Sequence, residues 1–201
     1  MMINEILLGD SKEIAKDIPD ESLDLCFCDP VYQNMEDYSW LAETAQRVLK
    51  PDKPLIVFCS SQKMKETRDA MDPYLTFQLP MFYIVKAKMA FLNAYHAFTW
   101  TTPMLVYSKG KYAPKSWYID TFISVSRPSG THKWNKNTAV LRYYIDRISY
   151  PNDIIWDPFA GHGSIPYVCV QAGRRFVASE IDEECVNFAR NRVAQVRKDL
   201  F

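Results

Sequence analysis

The chain has 201 residues with 48% hydrophobic and 14% aromatic content and only 6 glycines, which excludes fibrous, low-complexity and broadly disordered proteins. At about 100–200 residues per domain, this length predicts one compact domain. The 24 basic and 24 acidic residues cancel, so net charge alone indicates no class of partner. No apolar run approaches the roughly 20 residues that cross a bilayer, and acids stand where a signal peptide would be basic. We therefore expect a cytoplasmic protein without membrane contact.

The first third of the chain alternates short apolar runs with amphipathic segments, which predicts alternating strands and helices. The first two predicted strands each end on an acid, at Gly9-Asp10 and at Asp29-Pro30. The predicted strands cover 3–8, 23–28 and 54–59, and the predicted helices cover 11–18, 38–49 and 61–71.

The middle of the chain is cationic and aromatic. Residues 86–136 hold 8 Lys or Arg against one acid, whereas residues 1–85 hold 8 against 15. Basic side chains can bind phosphates and aromatic rings can stack on bases, so this composition suggests a nucleic-acid contact. A solvated basic face over core aromatics explains the composition equally well. Strands are predicted at 76–85 and 98–107, and an insertion at 86–131. The candidate nucleic-acid-binding residues are Lys86, Lys88, Lys109, Lys111, Lys115, Arg127 and Lys133.

The last third repeats the alternation more clearly. A helix is predicted at 137–149, followed by a strand at 153–156, a helix at 164–172, a strand at 175–179 and a helix at 182–198. This pattern predicts an α/β fold with a doubly wound, mostly parallel sheet and an antiparallel edge. Ligands of such sheets bind beyond the carboxyl ends of the strands, so residues at strand ends become candidates for a site.

Five cysteines lie in apolar surroundings, and none has the paired spacing of a zinc site. We therefore expect buried free thiols in a reducing compartment and no metal. The five are Cys26, Cys28, Cys59, Cys169 and Cys185.

The segment DPFAGHGS, residues 157–164, joins a predicted strand to a predicted helix through a glycine-containing turn. Gly161 and Gly163 let the backbone approach a ligand closely, and the helix N-terminus offers N–H groups to an anion. Glu180 ends the next predicted strand, where a carboxylate can bind the two hydroxyls of a ribose. The pattern favours a nucleotide-type cofactor, although a tight turn beside an exposed acid needs no ligand.

A second segment, Asp29-Pro30-Val31-Tyr32, follows the second predicted strand. A carboxylate accepts hydrogen bonds from an amino group, and an aromatic ring can stack on a planar base. The segment therefore fits an amine-bearing base, although Asp-Pro after a strand is also an ordinary turn.

Together the two segments resemble the β class of the amino-group DNA methyltransferases, which methylate adenine N6 or cytosine N4 with S-adenosylmethionine. The catalytic tetrapeptide of that family, Asp/Asn/Ser-Pro-Pro-Tyr/Phe, is matched by Asp29, Pro30 and Tyr32, with Val31 in the third place. The family's cofactor loop, Asp-Pro-Phe-x-Gly-x-Gly-Ser/Thr, is matched at 157–164 and follows the tetrapeptide, as in the permuted β order. The resemblance implies a Rossmann-like methyltransferase fold in a single domain, with a target-recognition insertion at 86–131.

The resemblance also implies a reaction, in which a methyl group moves to adenine N6 of a base flipped out of double-stranded DNA. Asp29 and the Pro30 carbonyl would orient the amino group while Tyr32 stacks on the base. Aspartate at the first motif position favours adenine, because the resembling cytosine enzymes more often begin with serine. A homodimer is a further expectation. The cofactor-binding residues implied are Asp10, Asp29, Lys136, Asp157, Phe159, Ala160, Gly161, Gly163, Ser164, Glu180, Ile181 and Asp182.

Three alternatives stay open. Cytosine N4 of DNA, or an RNA amine, would use the same residues. A nucleic-acid-binding module that keeps the fold but little activity would explain Val31. A nicotinamide-dependent oxidoreductase would use Gly161 and Gly163 for pyrophosphate, but the chain lacks the GxGxxG spacing.

His162 is expected to face solvent without a role.

Overall fold

The structure of the protein, a computed structural model, describes residues 1–85, 90–92, 96–124 and 137–200. Strands and helices alternate along most of it, and a short 3-10 helix at Ala15–Asp17 continues the first helix. The strands are β1 (Glu5–Leu8), β2 (Leu25–Cys28), β3 (Pro54–Phe58), β4 (Thr76–Val85), β5 (Ala90–Leu92), β6 (Ala97–Thr99), β7 (Thr101–Ser108), β8 (Thr121–Ser124), β9 (Ile154–Asp157) and β10 (Arg175–Glu180). The helices are α1 (Ser11–Ile14), α2 (Met35–Val48), α3 (Met64–Met71), α4 (Thr138–Ile148), α5 (Ser164–Gln171) and α6 (Glu183–Leu200).

Eight of the described strands form one sheet in the order β1-β10-β9-β2-β3-β7-β4-β8. Neighbours from β1 to β3 are parallel, β7 is antiparallel to both β3 and β4, and β8 is parallel to β4. Strands β5 and β6 pair with each other outside this sheet. The predicted α/β fold with a mostly parallel sheet is confirmed. The predicted antiparallel edge is wrong, because the antiparallel strand β7 lies inside the sheet, between β3 and β4.

The core lies in two layers, one on each face of the sheet. Successive residues of a strand point to opposite faces, so Leu25 and Phe27 contact one layer while Cys26 and Cys28 contact the other. Helices α4, α5 and α6 supply the first layer, and α2 and α3 supply the second. The sheet is therefore covered on both faces, as the apolar strands require.

Four of the five cysteines are buried free thiols, as predicted, whereas Cys185 is half-buried on α6. No helix within the described ranges combines the length and the apolar character needed to cross a bilayer.

Local sequence explains where several helices begin. The side chain of Asn34 accepts a hydrogen bond from the Glu36 N–H at the start of α2, and Asn137 caps α4 in the same way. The helix predicted over 61–71 begins later, at Met64. Ser60 closes a turn through bonds from the Gln62 and Lys63 N–H groups, which delays the helix to Met64.

The sheet register places the ends of four strands at one edge, which we call the carboxyl edge. Leu8 pairs with Glu180 and Ala178 with Asp157, so β1, β9 and β10 end together, and β2 runs parallel beside them. Strand β7 runs the other way, and Ser108 at its end pairs with Pro54 at the start of β3. Residues that follow β7 therefore lie at the opposite edge.

Strand β7 falls within residues 86–131, where the sequence predicted an insertion. It is a buried strand of the main sheet, hydrogen-bonded between β3 and β4. The part of 86–131 that leaves the sheet is correspondingly shorter, and its role in target recognition stays a prediction.

Candidate active site

A cavity of about 460 Å³ opens at the carboxyl edge, between the segments that follow β1, β2, β9 and β10. This volume is within the range of small-molecule sites. The structure thus brings residues from four separate stretches of sequence to one wall. The predicted residues that line the cavity are Asp10, Asp29, Asp157, Phe159, Ala160, Gly161, Ser164, Glu180 and Ile181.

The loop after β9 depends on two glycines for different reasons. Both Gly161 (φ 49°) and Gly163 (φ 70°) adopt the left-handed conformation that disfavours other residues. A Cβ atom on Gly161 would meet nothing within 4 Å, whereas one on Gly163 would lie 2.7 Å from Ala189 Cβ. Gly163 is not among the residues that line the cavity, and its lack of a Cβ lets α5 pack against α6. Its predicted contact with the cofactor stays a prediction.

Glu180 ties the end of β10 to the glycine loop. Its Oε2 accepts a hydrogen bond from the Gly161 N–H at 2.8 Å, and its Oε1 accepts from the N–H groups of Ile181 (2.8 Å) and Asp182 (3.0 Å). Each carboxylate oxygen retains capacity for a further donor. The exposed Asp182 side chain is not on the cavity wall. It instead accepts from the Cys185 N–H at 2.9 Å, a bond that lowers the pKa of Asp182 and caps α6.

Asp157 is a buried carboxyl group on the wall of the cavity, 1% exposed. Burial raises its pKa well above the usual value, the hydrogen bond from the Phe159 N–H opposes this shift, and the charges of Asp29 and Glu180 add to it. A positively charged ligand would relieve this repulsion. The site is therefore electrostatically suited to a cation.

The predicted catalytic segment lies beside these acids. Asp29 is half-buried on the cavity wall, Pro30 is buried, and Val31 is 68% exposed and also lines the cavity. The Tyr32 hydroxyl donates a hydrogen bond to Asp29 Oδ1 at 2.8 Å, and its ring packs against the core. Tyr32 is not on the cavity wall, so stacking on a base would require its ring to turn away from this contact.

Four further residues line the cavity although the sequence did not indicate them: Ser11, Lys12, Asp37 and Trp40. The Ser11 hydroxyl donates to the Pro158 carbonyl oxygen, and Lys12 Nζ pairs with Asp37 Oδ1 at 3.1 Å. Trp40 of α2 contacts the Phe159 ring edge to face, with 6.0 Å between centroids. Positions 11 and 12 directly follow a strand that ends on an acid, and this local pattern could have indicated that they lie near the site. Nothing in the sequence indicates that α2 turns position 37 toward a cavity.

His162 is half-buried on the cavity wall, and its ring packs edge to face on Phe188 with 5.0 Å between centroids. The expectation that this side chain faces solvent is therefore wrong.

Three of the predicted nucleic-acid-binding lysines lie at the edge opposite the cavity. Lys109 follows β7 and forms an ion pair with Glu21 at 2.9 Å, and the Lys111 N–H donates to an oxygen of Asp52. Lys115 Nζ lies 3.4 Å from a carbonyl oxygen near the end of α4. Their assignment to the DNA contact stays a prediction that this position does not favour, because charge composition does not reveal the edge of the sheet at which a residue lies. The other predicted sites Lys86, Lys88, Arg127, Lys133 and Lys136 are outside the described residues.

Comparison with known proteins shows which family part of this chain resembles. A family model described as DNA methylase matches residues 99–191, a stretch that contains the loop 157–164 and Glu180. This match covers 93 of the 201 residues, and over that stretch the chain is similar to the DNA methylase family. The matched stretch does not include Asp29.

Two curated relatives come from Escherichia coli strain K12. DNA adenine methyltransferase YhdJ is 25% identical over 94% of this chain and 82% of its own length. Putative methylase YubD is 33% identical over 34% of this chain, and that match spans only 30% of YubD.

Two solved structures share the fold. The M1.HpyAVI complex with S-adenosylmethionine has a TM-score of 0.80 at 23% identity, over 94% of this chain and 98% of its own. The cytosine-N4-specific PvuII DNA methyltransferase has a TM-score of 0.81 at 16% identity, over 93% of this chain and 85% of its own. The predicted Rossmann-like methyltransferase fold is thereby confirmed.

Proposed function

We propose that this protein is a DNA methyltransferase, which transfers a methyl group from S-adenosylmethionine to the exocyclic N6 of adenine in double-stranded DNA. The observation that carries the proposal is the shared cavity. Asp29, from the segment that resembles a catalytic tetrapeptide, lines the same cavity as the loop that resembles a cofactor-binding motif. An acceptor for an amine therefore stands beside a site suited to a cationic cofactor.

The residues present fit S-adenosylmethionine. The carboxyl groups of Asp157, Asp29 and Glu180 surround a cavity that favours positive charge, and this cofactor carries a sulfonium and an ammonium group. Phe159 and Trp40 supply apolar wall for an adenine ring, and Glu180 has acceptor capacity for ribose hydroxyls. When bound, the cofactor supplies an electrophilic methyl group. The related fold that binds S-adenosylmethionine in its solved complex supports this choice.

Asp29 and the Pro30 carbonyl act by orientation. Both accept hydrogen bonds from the two amino hydrogens of a flipped base, which turns the nitrogen lone pair toward the methyl carbon. With the cofactor bound, transfer would form a nitrogen–carbon bond as the carbon–sulfur bond breaks, and the nitrogen would then release one proton to solvent. The Asp29 charge stabilises the positive charge that develops on the amine. Tyr32 stacks on the base once its ring has turned into the cavity.

Adenine is the favoured base for two reasons. The motif begins with aspartate, and YhdJ, which matches nearly the whole chain, is named a DNA adenine methyltransferase. Cytosine N4 is the second candidate, because the PvuII enzyme has the same fold and that specificity. The four buried free thiols agree with a cytoplasmic protein, and the homodimer stays a prediction.

The test is to identify the methylated nucleoside. The protein is incubated with unmethylated duplex DNA and isotopically labelled S-adenosylmethionine, and the DNA is digested and analysed by mass spectrometry. N6-methyladenine is expected. N4-methylcytosine would retain the site and change the base, whereas product on RNA alone would contradict the proposal for DNA. Cofactor binding without product on either nucleic acid would indicate a binding module of the same fold.

A further inference from the structure

Arg192, on α6, lies directly behind the cofactor loop. Its Nη1 donates hydrogen bonds to the His162 carbonyl oxygen at 3.2 Å and to Ser164 Oγ at 3.1 Å. The guanidinium carbon lies 4.5 Å from the centre of the Tyr167 ring, at cation–π distance. The side chain is half-buried, and no carboxylate of the described residues forms an ion pair with it. A cation that is costly to bury thus has only neutral described partners.

These contacts determine what the Ser164 hydroxyl can do. Because its oxygen accepts from Arg192, the hydroxyl proton is left for an acceptor elsewhere, and no described residue accepts it. Ser164 lines the cavity as the first residue of α5, where helix N–H groups also lack helical acceptors. Both donors and the nearby positive charge favour an anion at this end of the cavity.

The rest of the wall has the opposite preference. Asp29, Asp157 and Glu180 favour cations, and Lys12, the one lysine or arginine among the described residues of the wall, is already paired with Asp37 at 3.1 Å. The cavity therefore has acidic walls and one anion-seeking end. The amino-acid part of S-adenosylmethionine has the same two features, because its sulfonium and ammonium groups stand near a single carboxylate.

We propose that Arg192 is a positioning residue of the cofactor site, which holds the Ser164 hydroxyl as a donor so that the pair receives the α-carboxylate of the cofactor. The inference rests on the proposed function, because it assumes that S-adenosylmethionine occupies the cavity. Arg192 acts through Ser164 and its charge, and it also fixes the loop through the His162 carbonyl. If Arg192 only stabilised the loop, its replacement would weaken the binding of ligands with and without a carboxylate to the same extent.

The experiment compares S-adenosylmethionine with decarboxylated S-adenosylmethionine, with both dissociation constants measured by calorimetry. The variants are Arg192→Met, which removes the charge, and Arg192→Lys, which keeps it. Arg190→Met is the matched control, because Arg190 lies on the same helix and donates to the Ile6 carbonyl oxygen at 2.8 and 3.0 Å, away from the cavity. Thermal unfolding of every variant reports whether it is folded.

The wild-type protein is expected to bind S-adenosylmethionine more tightly than the decarboxylated ligand. Arg192→Met should lose about tenfold in affinity for the former and little for the latter, as expected for a charge-assisted contact. Arg192→Lys should lose less, and Arg190→Met should retain the wild-type ratio.

An equal loss for both ligands in Arg192→Met, or no preference in the wild type, would overturn the assignment of Arg192 while leaving the proposed function intact. If the wild type binds neither ligand, the proposed function itself fails, and the inference fails with it. The two failures are therefore distinguishable.

Discussion

At the scale of single residues, the contact between Tyr32 and Asp29 is the most informative feature of the candidate site. The hydroxyl of Tyr32 donates to the same carboxylate that is proposed to accept from the substrate amine. Burial and the Asp29 charge both raise the pKa of Tyr32, so the hydroxyl stays protonated and remains a donor. In the unbound protein, Tyr32 therefore uses part of the acceptor capacity of the carboxylate to which a base would donate.

Replacing Tyr32 separates the hydroxyl from the ring. Tyr32→Phe keeps the ring and removes the bond to Asp29, so we expect methyl transfer within about twofold of wild type, since stacking provides most of the energy. Tyr32→Ala removes the stack, worth about 1–3 kcal/mol, and should raise the KM for DNA by about tenfold or more. Initial rates against DNA concentration measure both. If the two variants are equally impaired, the hydroxyl rather than the ring carries the function.

At the scale of elements, strand ends were predictable from the sequence while helix faces were only partly so. The apolar runs before Asp10, Asp29 and Asp157 end abruptly, and an abrupt end is a local property. The buried face of α4 was also predictable, because its apolar residues recur at helical spacing. By contrast, Asp37 and Trp40 contact the cavity through the packing of α2 on the sheet, which no local pattern encodes.

The packing of α5 against α6 makes the two glycines of the cofactor loop unequal. Gly161→Ala should cost about 1–2 kcal/mol of unfolding free energy, the penalty of a left-handed backbone. Gly163→Ala adds a Cβ that would lie 2.7 Å from Ala189 Cβ, so its loss should exceed that of Gly161→Ala. The overpacking adds about 1–3 kcal/mol. Urea denaturation of both variants is the measurement, and equal losses would show that Gly163 is not a packing residue.

At the scale of the whole molecule, the direction of β7 determines at which edge of the sheet the lysines that follow it lie. The sequence showed a cationic block but not the side of the sheet on which each lysine lies, because β7 runs antiparallel to its neighbours. Lys109, Lys111 and Lys115 consequently stand at the edge opposite Asp29. Long-range topology of this kind depends on strand pairing between distant segments and leaves no local trace in the sequence.

This topology predicts that the lysines opposite the cavity do not contact the DNA from which a base is flipped. The double variant Lys111→Ala/Lys115→Ala should bind duplex DNA with an unchanged dependence of log K on log salt. Each phosphate contact contributes about 0.9 to that slope, so a binding titration at several salt concentrations resolves the loss of either lysine. A slope smaller by about 1 or more would place DNA on this edge and contradict the proposed orientation.

The central claim for the whole molecule is that Asp29 at the end of β2 and the cofactor loop after β9 form one active site. The most direct test is the rate of methyl transfer to duplex DNA in a single turnover, with cofactor saturating, for wild type, Asp29→Ala and the exposed control Asp20→Ala. Asp29→Ala should bind S-adenosylmethionine yet transfer methyl at least about a hundredfold more slowly, the order expected for loss of an electrostatic catalytic group, while Asp20→Ala keeps the wild-type rate. An Asp29→Ala variant that transfers methyl at the wild-type rate would contradict the account.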